Sequence, residues 1–412
     1  MTDPRHLAFF TFPFHGHVNP TLGLVSELVR RGHRVTYVTT KEFADAVAAV
    51  GAEAIVYEGT VPSSLDTVMK APDDMTSDEL HLSIKAITDE GLAPLAQVRD
   101  QLAGDPPDLV LHDLTAFHTG RLAALAWNRP AIRLCTTLVY SAEFNPYAEY
   151  MTVYPDIDPG HSALAEERAS MVEALASVGL DHLTPEEFKA DESTVKANLV
   201  FLPERFQVGP EHFGPEYAFV GPCLTERTHQ GSWRPSKPRA EGAPLVLIAF
   251  GTFAYPDQQK FFTDCAHEFA GTPWHVVLVV GNQVDVDELG ELPSNVEMHR
   301  WVPQFSLLSE TDVFVSHAGM GSVTEAVYTG TPMVLLPKLT EQDLVASRVR
   351  ELGLGRTISR EDVTATAIRD LVAEVLEDRE IPANLAAMRK AMADAGGAPR
   401  AADVIEKVIE ES

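Results

Sequence analysis

The sequence has few cysteines and no long apolar run, and these two shortages exclude several classes of protein. Its three cysteines, Cys135, Cys223 and Cys265, are far apart, which argues against a paired zinc or redox motif and against a disulfide framework. No segment reaches the roughly 18 apolar residues that cross a bilayer, and the N-terminus lacks the pattern of a signal peptide. These features predict a cytoplasmic protein with buried thiols.

Positive charge is also scarce. The 412 residues include 32 Lys and Arg against 60 Asp and Glu, which gives a formal net charge of −28. Nucleic acids and anionic membranes reward clustered Lys and Arg, so neither is expected as a partner. This charge does not exclude an anionic small molecule that is bound by backbone amides.

Apolar strand patterns alternate with amphipathic helix patterns in two successive runs. The strand patterns of the first run are "HLAFFTF", "RVTYVT", "AEAIVY", "DLVLHD" and "PAIRLC". Those of the second run are "LVLIAFGT", "WHVVLVVG", "NVEMHRW", "DVFVSHAG" and "PMVLLP". A polar segment with several Pro and Gly separates them. The pattern predicts an α/β protein with two Rossmann-like, doubly wound domains that face each other across a cleft. We expect domains at residues 1–222 and 244–392, a linker at 223–243, and a C-terminal helix at 393–412 that crosses back to the first domain.

The loop after the first strand carries two histidines, His15 and His17, in "TFPFHGHVNP". Asn19 and Pro20 suit the start of the helix that follows. Ligands bind at the carboxyl ends of strands in open parallel sheets, so both histidines are predicted to lie at a ligand-binding edge. Three roles are open: metal binding, proton transfer, or a polar helix start. No carboxylate triad or third histidine lies close in sequence, which disfavours a metal site.

The second run contains a glycine turn in "DVFVSHAGMGSVTEAV". Gly319 and Gly321 allow close approach to a ligand, and a helix that begins near Ser322 would present amide donors to a diphosphate. His317 could donate a further hydrogen bond. Nearby side chains suit the rest of a nucleotide sugar: Trp301 suits a base, Glu325 suits a ribose, and Glu341 with Gln342 suits a sugar. Each also has an ordinary structural explanation. Trp301 would be a core residue, Glu325 a solvated helix carboxylate, and Glu341 a charge at a helix N-terminus.

The block from Trp301 to Gln342 resembles the donor-binding signature of family 1 glycosyltransferases of the GT-B fold. The segment "HGHVNPTLGLVSELVRRGHRVTYVT" resembles the N-terminal region of their bacterial macrolide branch, and the similarity extends over nearly the whole chain. It implies that Trp301 stacks on the base, that Glu325 binds the ribose, and that Glu341 and Gln342 bind the hexose. The other donor-binding residues that it implies are Thr252, Val302, Gln304, His317, Gly319, Gly321 and Ser322.

The same resemblance gives the N-terminal histidines a role. In the family pattern the first histidine of "HGH" is the general base and an aspartate after a later strand is its partner, which implies His15 and Asp113. Asp113 follows the buried strand "DLVLHD", so it should lie on the same edge as His15. An imidazole suits proton removal near neutral pH, and a carboxylate fixes its tautomer. His17 is then expected to be structural.

Together these features predict an inverting glycosyltransferase that needs no metal or other cofactor. The expected donor is UDP-glucose or a similarly hydroxylated nucleotide sugar, and the expected acceptor is a bulky polyketide, macrolide or phenolic. A dTDP-deoxysugar donor and a GT-B-like sugar-nucleotide epimerase are the alternatives. A nicotinamide dehydrogenase would place G-x-G-x-x-G after its first strand, and this chain has "TFPFHGHVNP" there. A non-catalytic sugar-binding protein would usually be exported, and the N-terminus here lacks the pattern of a signal peptide.

Overall fold

The structure is a computed structural model that describes residues 3–61, 74–141, 143–225, 231–251, 258–281, 284, 286 and 291–412. The chain forms two compact units. Unit 1 comprises Met1–Asn145, Val153–Thr225 and Met392–Ser412, and unit 2 comprises Pro146–Thr152 and Glu226–Ala391. Within the described residues, no helix is both long enough and apolar enough to span a membrane.

Unit 1 contains a seven-stranded parallel sheet in the order β3-β2-β1-β4-β5-β6-β7. The sequence patterns predicted the first five strands, and the last two were not recognised. The strands are β1 (His6–Phe10), β2 (Arg34–Thr39), β3 (Glu53–Val56), β4 (Leu109–Asp113), β5 (Ala131–Cys135), β6 (Val195–Val200) and β7 (Tyr217–Phe219).

Helices cover both faces of this sheet, which is why its strands are apolar on both sides. Leu7 and Phe9 pack in the core on one face, and Ala8 and Phe10 pack in the core on the other. The helices of the first part of the chain are α1 (His15–Val18), α2 (Leu22–Arg30), α3 (Lys41–Ala49), α4 (Ser77–Leu102), α5 (Phe117–Trp127), α6 (Ser162–Ser177) and α7 (Pro185–Ala190).

The two N-terminal histidines lie in a short helix, which differs from the predicted loop. Helix α1 runs from His15 to Val18, and a 3-10 turn, Asn19–Thr21, joins it to α2. Pro20 lies in this turn, where its missing N–H costs little. Helix α2 ends before Gly32, which has a φ of 95°, a conformation that favours glycine.

Unit 2 contains a six-stranded parallel sheet in the order β10-β9-β8-β11-β12-β13. Its strands are β8 (Leu245–Ala249), β9 (His275–Val279), β10 (Val296–His299), β11 (Val313–Ser316), β12 (Met333–Leu335) and β13 (Gly355–Thr357). The remaining helices are α8 (Gln258–Glu268), α9 (Gln304–Leu308), α10 (Met320–Thr329), α11 (Thr340–Glu351), α12 (Ala365–Glu377), α13 (Glu380–Asp394) and α14 (Gly397–Glu411).

A buried carboxylate attaches the start of unit 2 to its sheet. The Glu297 side chain on β10 accepts hydrogen bonds from the backbone N–H groups of Ser236 and Lys237, at 2.9 and 3.0 Å. The Ser236 hydroxyl and the imidazoles of His275 and His299 donate to the same carboxylate. Burial alone would raise the pKa of Glu297, but these donors outweigh burial and lower it far below its ordinary value. Glu297 is therefore ionised at neutral pH.

The C-terminal helix α14 belongs to unit 1. Its apolar residues Ala401, Ala402, Ile405 and Val408 lie in the same core cluster as Leu24 and Leu28 of α2. Arg31, at the end of α2, also forms ion pairs with Asp403 and Glu406 of α14, each at 2.7 Å. The chain therefore leaves unit 1, forms unit 2, and returns to complete the core of unit 1.

Both sheets reverse their strand order at one point. In unit 1 the reversal lies between the neighbouring strands β1 and β4, and in unit 2 it lies between β8 and β11. The loops after such a pair of strands diverge at the carboxyl edge and leave a crevice for a ligand. The residues that follow β1, β4, β8 and β11 are therefore the first candidates for function in each unit.

Candidate active site

Asp113, the last residue of β4, is a fully buried carboxylate with four hydrogen-bond donors. One oxygen accepts from the backbone N–H of Phe12, and the other accepts from the N–H groups of Thr115 and Ala116, at distances of 2.6–3.0 Å. The fourth donor is His17, whose Nδ1 lies 2.8 Å from Oδ2. Burial alone would raise the pKa of Asp113, but His17 and the backbone donors outweigh burial and lower it.

This environment determines the tautomer of His17. An ionised carboxylate only accepts hydrogen bonds, so Nδ1 of His17 must carry the proton that it donates to Asp113. The neutral ring then has its basic lone pair on Nε2. About a quarter of the His17 side chain is exposed, while Asp113 is fully buried. The pair therefore has the form of a general base whose neutral ring is oriented by a buried carboxylate, which would also stabilise the protonated ring.

The predicted pairing of His15 with Asp113 is wrong. Nε2 of His15 lies 3.3 Å from Oε1 of Glu42, at the start of α3, and both side chains are about half exposed. Two causes explain the difference. Residues two apart on a helix do not face the same side. In addition, Asp113 ends β4, whereas Glu42 lies at the start of α3, the helix that follows β2. Strands β4 and β2 lie on opposite sides of β1. The sequence gives no strand order, so it could not decide which histidine meets which carboxylate.

A second buried carboxylate, Glu90 of α4, shapes the same edge of unit 1. It accepts hydrogen bonds from the Tyr57 hydroxyl at 2.7 Å, from the Thr60 hydroxyl at 2.8 Å and from the Val61 N–H at 2.9 Å. These contacts fix the segment after β3. Glu90 was not predicted from the sequence, because a lone glutamate in a long helix carries no sign of burial.

In unit 2, the turn between β11 and α10 has the geometry of an anion-binding helix start. Ala318 has a φ of 66°, which is uncommon for a residue with a Cβ, and Gly319 is the N-cap of α10. The helix begins at Met320, two residues before the predicted start near Ser322. The first N–H groups of α10 have no acceptors within the helix and carry the positive end of its dipole.

His317 is buried beside this turn and lies against two glycines. A Cβ added to Gly319 would lie 2.6 Å from Nε2 of His317, and one added to Gly251 would lie 3.0 Å from Cε1. Burial lowers the pKa of His317 to about 4. The ring is therefore neutral at physiological pH, and it can offer a hydrogen bond but no charge to a ligand. Among the described residues, a Cβ on Gly321 would meet no atom within 4 Å outside the chain neighbours and backbone of its own helix, so the turn is open at that position.

Three residues that were predicted to bind the donor form one polar group. The side-chain amide of Gln304 donates to Oε2 of Glu325 at 2.9 Å and lies 3.4 Å from the Ser322 hydroxyl. Glu325 is only 5% exposed. Gln304 therefore holds the Glu325 carboxylate in place on α10, one turn after the glycines.

Trp301 and Val302, after β10, differ in exposure. Trp301 is 61% exposed, so its indole is available to a ligand and is not a core residue, whereas Val302 is buried. An exposed aromatic ring is a suitable surface for a nucleobase.

The two residues predicted to bind the sugar lie at the start of α11 and differ in role. Glu341 is exposed. The side-chain oxygen of Gln342 accepts from the backbone N–H groups of Lys338 and Leu339, at 2.8 and 3.1 Å. Only the amide NH₂ of Gln342 remains to meet a sugar hydroxyl. Thr252, the other donor-binding residue, lies outside the described residues.

The described part of the chain has no group of three or more His, Cys, Asp or Glu residues that could hold a metal ion. Its three cysteines are buried and form no disulfide, as the sequence predicted.

Comparison with known proteins identifies the family of the chain. Residues 272–411 match the family described as erythromycin biosynthesis protein CIII-like, C-terminal domain. NDP-glycosyltransferase YjiC of Bacillus subtilis (strain 168) is 35% identical over 411 residues, which cover 99% of this chain and 98% of that protein. Oleandomycin glycosyltransferase of Streptomyces antibioticus is 36% identical over 410 residues, or 98% and 91% of the two chains. The chain belongs to the family 1 glycosyltransferases of the bacterial macrolide branch.

Solved structures support the same assignment. A calicheamicin glycosyltransferase superposes with a TM-score of 0.78 at 37% identity, and the match covers 98% of each chain. The kitacinnamycin glycosyltransferase gives a TM-score of 0.80 at 33% identity over 99% of each chain. The glycosyltransferase described here therefore has the GT-B fold, as the sequence predicted.

Proposed function

We propose that this glycosyltransferase is inverting and metal-independent, and that it transfers a hexose from UDP-glucose or a similarly hydroxylated nucleotide sugar to a hydroxyl group of a bulky natural product. The observation that carries this proposal is the His17–Asp113 pair, with its distance of 2.8 Å and its fully buried carboxylate. This pair replaces His15 and Asp113 as the proposed base and its partner.

The proposed reaction is a single displacement. Nε2 of His17 takes the proton of the acceptor hydroxyl while that oxygen bonds to the anomeric carbon. The bond from that carbon to the diphosphate oxygen breaks, and the nucleoside diphosphate leaves with the electron pair. Attack on the face opposite the leaving group inverts the anomeric configuration. Asp113 stabilises the imidazolium that forms on His17.

Unit 2 supplies the groups that suit the donor. The first-turn amides of α10 and the neutral His317 can hydrogen-bond the diphosphate, so charge on the leaving group is stabilised without a divalent ion. Trp301 offers its exposed face to the base, and Glu325, held by Gln304, can accept from ribose hydroxyls. A uridine nucleotide gives Glu325 one more ribose hydroxyl than a thymidine nucleotide does.

The residues at the start of α11 and the names of relatives bear on the nature of the sugar and the acceptor. Glu341 and the Gln342 amide suit a sugar with ring hydroxyls, because a deoxygenated sugar leaves polar groups unpaired. The alternative donor is a dTDP-deoxysugar. The names of two relatives, oleandomycin glycosyltransferase and demethyllactenocin mycarosyltransferase, and the aromatic segment "FNPYAEYMTVYP" favour a polyketide, macrolide or phenolic acceptor.

The decisive experiment is a screen of UDP- and dTDP-sugars against hydroxylated natural products, read by mass. NMR of a product made from an α-linked UDP-glucose should show a β-glycoside. His17→Ala is the matched inactive control. An α-linked product, or equal activity of His17→Ala, would contradict the proposed mechanism. Conversion of a nucleotide sugar into its epimer without any acceptor would favour the epimerase alternative.

A further inference from the structure

The carboxyl edge of the unit 1 sheet carries a second imidazole–carboxylate pair, which the proposed reaction does not use. His15 and Glu42 form this pair at 3.3 Å, on the β2 side of β1, whereas His17 and Asp113 lie on the β4 side. The His15 ring also meets the buried Phe43 ring edge-on, with centroids 5.0 Å apart. A carboxylate and an aromatic ring therefore orient His15 on the edge that carries the proposed base.

The exposure of this pair makes it unsuitable for proton transfer. Water screens the attraction between His15 and Glu42, because each side chain is 53% exposed. The Glu42 carboxylate thus stabilises an imidazolium far less than a buried, fully hydrogen-bonded Asp113 does. Screening also makes the pair a weak contributor to stability. About half of each side chain is exposed at a sheet edge, which suits contact with a ligand better than proton transfer or a contribution to stability.

We propose that His15 and Glu42 position the acceptor and contribute to its selection. This inference rests on the proposed function, with His17 as the base. The pair contacts a second polar group of the acceptor, a hydroxyl or a protonated amine, while the reacting hydroxyl lies at His17. Glu42 accepts a hydrogen bond from that group and His15 is held beside it. The ligand is therefore an acceptor with at least two polar groups and not a monohydroxylated one.

The test uses luteolin, a phenolic with several hydroxyls, and compares His15→Ala, Glu42→Gln and His17→Ala. Glu53→Gln is the matched control, because Glu53 is an exposed carboxylate at the opposite, amino end of β3. We expect His15→Ala and Glu42→Gln to raise the luteolin KM and the calorimetric Kd about tenfold, the scale of one lost hydrogen bond. Their kcat should fall less than about threefold, and the donor KM and the Glu53→Gln constants should not change.

Two results would overturn the inference. If His15→Ala lowers kcat as much as His17→Ala does, with an unchanged KM and a changed pH profile, His15 carries the proton. If neither KM nor Kd changes in His15→Ala and Glu42→Gln, the pair is only a surface ion pair. Failure of the proposed function looks different, because the wild-type enzyme would then transfer no sugar to any acceptor, whatever its Kd for luteolin. Thermal melting of each variant shows whether it is folded.

Discussion

The two units have the same strand order around the reversal point, but they place opposite kinds of groups there. Unit 1 places a basic imidazole and a buried anion after β1 and β4, whereas unit 2 places helix amides and a neutral imidazole after β11. The first arrangement suits the removal of a proton, and the second suits the stabilisation of negative charge. One topology therefore supplies only the position of a site, and the loop residues supply its chemistry.

The largest effect is expected from the base of unit 1. His17→Ala should lower kcat at least about a hundredfold, the usual scale for general base catalysis, and should leave the donor KM nearly unchanged. Steady-state kinetics with a saturating acceptor measures this effect. His15→Ala is the control. Near-normal turnover of His17→Ala would show that His17 is not the base.

Asp113→Asn should have the next largest effect, a loss of about tenfold or more in kcat. The neutral amide of the variant lacks the charge that stabilises the imidazolium. In addition, its NH₂ group would face backbone N–H donors that bind a carboxylate oxygen in the wild-type protein. The melting temperature should therefore fall as well. A variant with a normal kcat and normal melting would show that the buried anion is not required.

A moderate effect is expected at the donor edge of unit 2. His317→Ala should raise the donor KM about tenfold through loss of one hydrogen bond. Since burial lowers the pKa of His317 to about 4, the ring stays neutral from pH 8 down to about 5.5. The ratio of wild-type to variant KM should therefore be constant over that range. A ratio that grows as the pH falls would mean that His317 binds the donor as a cation.

A structural substitution away from either edge should change stability and not catalysis. Glu297→Gln leaves some of the hydrogen-bond donors around the residue 297 side chain without an acceptor. The variant should therefore lower the free energy of unfolding at pH 7 by about 2 kcal/mol. The folded-state pKa of Glu297 lies below its ordinary value of 4.5, so its contribution is present above pH 4.5 and is lost as the pH falls through the folded-state pKa. The stability gap should shrink below pH 4.5. The exposed Glu291→Gln is the control, and denaturant unfolding is the measurement.

The smallest effect is expected from removal of divalent ions. If amides and His317 hold the diphosphate, a chelator should leave the initial rate unchanged, and added magnesium or manganese should not increase it. Strict dependence on either ion would show that the amides of α10 and His317 do not hold the diphosphate without a metal.

The elements of the fold could be predicted from the sequence because they follow local periodicity. The apolar runs gave β1, β4, β8 and β11 and so located both candidate sites at strand ends. The short, half-buried strands β7 and β13 lack a long apolar run and were not recognised. The start of α10 was placed two residues late, because Ala318 takes a left-handed conformation that usually belongs to glycine.

The pairing of side chains could not be predicted in the same way. Asp113 was located correctly at the edge, but its partner depends on which strands flank β1 and on which way α1 presents its side chains. Similarly, the sequence does not reveal that the side-chain oxygen of Gln342 accepts hydrogen bonds from the backbone just before α11. Such contacts arise between segments distant in sequence, or from loop geometry that periodicity does not encode.

The return of α14 to unit 1 affects the order of folding during synthesis. Ala401, Ile405 and neighbouring residues fill the core beside α2, so unit 1 lacks part of that core until residues 397–411 have left the ribosome. Unit 2 is complete earlier, although most of it is encoded later than the unit 1 sheet. Until then unit 1 would be incompletely folded and would expose apolar surface, and chaperones are most useful during this period. Chimeric enzymes that exchange the two units should keep residues 392–412 with the first 225 residues.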